Sequence, residues 1–82
     1  MYVGKLTQFG NVILRVYGND HLPPHFHVLA PDFSALVGIS PVTILRGSVP
    51  ADVFAEISGW ADSNRDRLIS EWNLCNPRYP VV

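Results

Sequence analysis

An α+β domain is what the sequence predicts: a small, mostly antiparallel sheet of four to five strands within residues 2–46, packed on one face by C-terminal helices within residues 50–75. Three observations lead there. Up to Arg46, β-branched and aromatic residues dominate in short runs broken by turn formers. From Pro50 to Cys75 the apolar residues recur at helical spacing instead. With 82 residues, the chain has length for one core, so strands and helices must share it in a single domain, residues 1–82.

The first two strands are expected at Gly4–Gln8 and Val12–Tyr17, because Gly10-Asn11 between them tolerates the positive φ of a tight hairpin turn. Gly18-Asn19-Asp20 stops the second. Pro23-Pro24 has no backbone N–H to give to a ladder, so the third strand begins at His25 and runs to Ala30. Pro31-Asp32 turns the chain into a fourth strand, Ser34–Ile39, and Ser40-Pro41 separates that from a short fifth, Thr43–Arg46. Ser48 then reads as an N-cap, with Pro50 in the first helical turn. Val53, Phe54, Ile57, Trp60 and Ala61 make one apolar stripe and Leu68, Ile69, Trp72 and Cys75 a second, with Ser63 and Asp66 resembling a capping box between them. One bent helix or two consecutive helices satisfy this pattern. Asn76-Pro77 ends it and leaves Pro80-Val81-Val82 as a loose tail.

Composition narrows the function classes. Hydrophobic residues make up 48% and charged residues 16%, a balance that suits a globule and leaves apolar surface for a partner. A net charge of −1 gives no overall electrostatic footprint for DNA or RNA. Cys75 is the single cysteine, so an internal disulfide is excluded and a small buried hydrophobe is the expected role. No apolar run approaches the roughly 20 residues of a membrane span, and the N-terminus lacks an export signal, so a soluble cytoplasmic protein is expected.

The chemistry concentrates in Asp20-His21-Leu22-Pro23-Pro24-His25-Phe26-His27-Val28, which holds all three histidines. Residues two apart on a strand share a face, so His25 and His27 should stand together on the side opposite Phe26 and Val28, half exposed, with the larger hydrophobes toward the helices. Asp20 and His21 lead into them, and Arg15 or Tyr17 of the second strand would lie alongside. Three roles suit these residue types. His21, His25 and His27 have the donors of a three-histidine metal site, with Asp20 as a further ligand or an acceptor behind one. Histidines near a phosphate ester can pass protons. The same side chains can also be hydrogen-bonded structural residues, His21 capping a turn. Elsewhere the signal is weak: Trp60 and Trp72 fall in phase with the stripes as core anchors, and Ser34, Ser58, Ser70 and Cys75 have no nucleophile context.

This stretch resembles the signature of a family of small bacterial and archaeal proteins catalogued as a domain of unknown function (number four-one-six-zero), whose members typically read Asp-His-Asn-Pro-Pro-His-Phe-His-Val there. Phe9-Gly10, Ile13 to Tyr17, Ile44 to Pro50, Trp60, Leu68 and Trp72 extend the likeness over roughly residues 9 to 75. Leu22 departs from it, replacing the usual Asn. The resemblance implies a partner, since such members resemble parts of toxin–antitoxin-like gene pairs encoded beside a second small protein. On that basis the expected function is one component of a two-protein module with Asp20, His21, His25 and His27 as its working site. If it is the toxin, the clustered histidines without a nucleophile motif point to a metal-independent ribonuclease that also uses Arg15. One histidine would serve as general base, another as general acid, and Arg15 would sit on the phosphate. The alternatives are a non-enzymatic protein-binding module and the metal site; a membrane or DNA partner has no support.

Overall fold

Five strands follow one another across a single antiparallel sheet in the order β1-β2-β3-β4-β5, and two helices come after them. The structure is a computed structural model that describes residues 3–18 and 20–81, Val3 by its backbone alone. The strands are β1 Val3–Phe9, β2 Val12–Tyr17, β3 His25–Leu29, β4 Ser34–Gly38 and β5 Ile44–Gly47. Each lies within a residue or so of its expected bounds, because the turn formers that end them were on view in the sequence. Gly10 has φ +58, the left-handed conformation that its hairpin position anticipated. Tyr2, Asn19 and Val82 fall outside the described residues.

Helices α1 (Ala51–Ser63) and α2 (Arg65–Cys75) meet at Asn64, whose φ of −123° breaks the helix, so the two-helix alternative is the one realised. Both expected caps differ. Pro50, not Ser48, precedes α1, and Asn64, not Ser63, precedes α2, neither with a side-chain cap bond. The Ser48 N–H instead donates to the Ser34 carbonyl at 3.3 Å, fastening the end of β5 to β4. Asn64 turns its amide backward and donates to the Trp60 carbonyl at 2.9 Å.

Alternation along the strands sorts the sheet into two faces. Leu14, Val16, Phe26, Val28 and Val37 are fully buried on the helix side, where they meet Ile57, Leu68 and Trp72. The other face carries Arg15, Tyr17, His27 and Leu36, half buried, and Arg46, exposed. The tail is not loose as far as Val81. Trp72 Nε1 donates to the Tyr79 carbonyl at 2.8 Å, and the Asn73 amide pairs with the Val81 backbone at 2.7 and 3.0 Å. These bonds fold the segment back onto α2, a long-range effect that local composition does not encode. No helix among the described residues is long and apolar enough to cross a membrane.

Candidate functional site: an Asp–His–His cluster at the start of β3

Asp20 sits in the loop between β2 and β3 and is fixed from two directions. Its backbone N–H donates to Asn76 Oδ1 at 2.8 Å, and its own Oδ1 accepts the His21 backbone N–H at 2.9 Å. This leaves Oδ2 facing the sheet. His27 Nε2 donates to it at 2.9 Å, and His25 Nε2 approaches the same oxygen at 3.0 Å. One ligand-type atom from each of Asp20, His25 and His27 lies within 4.8 Å of the others.

His25 corrects an expectation. It shares a side with His27, their ring centroids 5.2 Å apart, yet it is fully buried and not half exposed. The reason lies in the helices: the Trp72 indole packs 5.5 Å from the imidazole, and the 20–23 loop approaches from the other direction, with the His21 ring at 5.0 Å. His25 Nδ1 is 2.7 Å from the Pro23 carbonyl, an acceptor only, so Nδ1 carries the proton. In the neutral ring Nε2 is then a lone pair. That atom is buried and has no hydrogen-bond partner, for its approach to Asp20 is close without being aligned. A lone pair held 3.0 Å from a carboxylate oxygen is unfavourable unless a proton or a metal cation lies between them.

The electrostatics of Asp20 agree with a cation-loving site. Burial by itself pushes its carboxyl upward, but the His27 hydrogen bond, the His21 backbone N–H and the nearby His25 and His27 imidazoles outweigh burial and hold it below the ordinary value of 3.8. The anion is therefore the resting form.

The remaining expected residues are arranged around this core. Arg15 faces His27 directly across the β2–β3 ladder, and Tyr17 sets its ring edge-on to His27 with centroids 4.4 Å apart. Arg15 makes no hydrogen bond or ion pair with another described residue, and its Nε is buried without a partner. His21 stands outside the converging three. Its side chain is 66% exposed, and its Nε2 is 3.9 Å from Asp20 Oδ1. Leu22 is exposed, its carbonyl accepting from His21 Nδ1 at 3.3 Å. Sequence reasoning missed Asn76 and the part Trp72 plays as a wall of the site; a helix-ending Asn before Pro signals a stop and says nothing about a partner 56 residues away. Two shallow grooves of about 380 Å³ each flank the cluster. One is lined by Asp20, Asn76 and Tyr79, the other by His27, Leu36 and Arg46, and His21 borders both.

The family model described as "Domain of unknown function (DUF4160)" matches residues 11–73, which include the whole cluster except Asn76. The chain belongs to this family. DUF4160 carries no activity in its description, so chemistry must come from the cluster itself. No curated protein and no solved structure matches the chain.

Proposed function

We propose that this DUF4160 domain is a metal-binding protein whose centre is Asp20, His25 and His27, holding one divalent first-row transition metal ion. The observation that carries this reading is His25 Nε2, buried without a hydrogen-bond partner and 3.0 Å from Asp20 Oδ2. A fully buried imidazole that donates its Nδ1–H to a backbone carbonyl and offers Nε2 toward a carboxylate has the arrangement of a metal-ligating histidine with its orienting acceptor behind it. Two imidazoles and one carboxylate suit zinc or iron(II), whereas calcium and magnesium ask for oxygen ligands. Three protein ligands leave a coordination position for water or substrate, and a metal there would supply Lewis acidity or an activated water. The chain's own residues do the rest: Asn76 and the His21 N–H fix the carboxylate, Trp72 excludes water from one side, and the exposed His21 side chain borders the site.

This reading alters the expectation of a metal-independent acid–base pair. Burial of His25, with its Nδ1 engaged by Pro23, leaves only His27 and His21 to meet a substrate. The wider setting, one half of a toxin–antitoxin-like pair, is supported by the family resemblance alone and remains compatible with a metal centre. The test is calorimetric titration of untagged protein with zinc, read beside histidine resonances. One equivalent should bind, with the His25 and His27 signals shifting together, and Asp20→Asn and His27→Gln should each weaken binding at least tenfold. Histidine spectra indifferent to zinc, or binding unchanged in Asp20→Asn, would overturn the proposal.

A further inference from the structure

Net charge conceals how the charges are distributed. None of the five strands contains Asp or Glu, while β1, β2 and β5 supply Lys5, Arg15 and Arg46. The helices are the opposite: Asp52, Glu56, Asp62, Asp66 and Glu71 against Arg65 and Arg67. The strand register aligns the sheet cations. Lys5 pairs with Arg15, Arg15 with His27, His27 with Leu36 and Leu36 with Arg46, so one row crosses all five strands on the face that the helices leave uncovered. At a strand spacing of about 4.8 Å the row is about 19 Å long. Among the described residues, neither Arg15 nor Arg46 has a hydrogen-bond or ion-pair partner, and Lys5 engages only the neutral Gln8 amide.

We propose that this face binds single-stranded RNA, the phosphates along the cationic row and the bases against the side chains between. Charge complementarity requires a polyanion, since a single phosphate would meet one end of the row only. Tyr17, Leu29 and Leu36, all half buried, interleave the cations and offer the aromatic and apolar ground on which unpaired bases rest. A sheet face presents no helix or ribbon to enter a major groove, which disfavours duplex DNA as the ligand. The row passes through His27, whose Nε2 lies 2.9 Å from the Asp20 carboxylate, so one anion stands beside the three cations and a bound strand would run past the Asp20–His25–His27 cluster, but binding does not depend on a metal there.

The experiment is fluorescence anisotropy of a labelled single-stranded oligoribonucleotide, in chelator, with the full chain. Three phosphate contacts predict a dissociation constant of about 10 to 100 µM at low salt and a log–log salt slope near −2, so affinity falls roughly 15-fold between about 50 and about 200 mM salt. Lys5→Glu/Arg46→Glu, both exposed, should reduce binding at least tenfold, and Arg15→Gln should reduce it with the circular dichroism unchanged. Arg65→Glu/Arg67→Glu, the same change of charge on the helices, should leave it within twofold. Absence of binding at low salt, equal loss from the two double variants, or equal competition by poly-glutamate would each overturn the proposal, the last by pointing to an acidic protein as the ligand.

Discussion

Asn76 at the end of α2 holds Asp20 across 56 residues of chain, accepting its backbone N–H at 2.8 Å while donating to the Tyr17 carbonyl at 2.9 Å. Besides His25, it is the polar residue buried among the described ones. One amide thus ties the last helix to the end of β2 and to the loop that presents the carboxylate. Asn76→Ala would leave the Asp20 N–H and the Tyr17 carbonyl without their partner, at about 1–3 kcal/mol. Urea denaturation should show that loss. Zinc titration should show weaker binding as well, because the Asp20 carboxylate is no longer fixed.

Metal binding should appear as stability. A ligand that binds only the folded state at a hundred times its dissociation constant adds about 2.7 kcal/mol. Zinc should therefore raise the urea midpoint of the wild type and raise that of Asp20→Asn by clearly less. An equal rise in both would mean that zinc acts elsewhere.

Gly47→Ala should be among the most damaging small changes in the sheet. Gly47 has φ +82, and a Cβ there would strike the Ser34 carbonyl oxygen, a backbone atom that cannot move aside cheaply. A loss above about 1 kcal/mol is expected from denaturation midpoints. Gly10→Ala is the control: it shares a positive φ of +58 but meets nothing within 4 Å. Its cost should be the smaller of the two.

Cys75 should be inert while the protein is folded. Burial, reinforced by the charge of Glu71 and opposed by the Gly4 backbone, pushes its thiol up to about 11 from 9.0. Iodoacetamide at pH 8 should modify it only after urea unfolding. Because the folded pKa is the higher one, the contribution of this thiol to stability is complete below pH 9 and declines as the pH rises toward 11. An unfolding midpoint that falls above pH 9 in the wild type, and less in Cys75→Ala, is the expected signature.

The strands were legible because Gly10-Asn11, Pro23-Pro24, Pro31-Asp32 and Ser40-Pro41 mark their ends, and the helices because their apolar residues keep one phase. The phase of β3 also placed His25 and His27 on one side. What could not be read locally was the cover over His25, since Trp72 reaches it from 47 positions downstream only after α2 docks. The caps failed for a related reason: Ser48 and Ser63 are sound local candidates, but the helix starts are set by Pro50 and by the break at Asn64. Asn76 and the Lys5–Arg15–Arg46 row lay beyond composition altogether, because a register joins residues that no spacing rule connects.

The strands carry a formal charge of +3 (Lys5, Arg15, Arg46) and the helices −3 (five acids against Arg65 and Arg67), an asymmetry that a pI of about 6.2 conceals. In the field of a charged polymer such a body feels a torque before it feels a net pull, and it arrives already turned to one side. Its encounters are thereby oriented, and raising the ionic strength should slow them more steeply than a net charge of −1 would suggest.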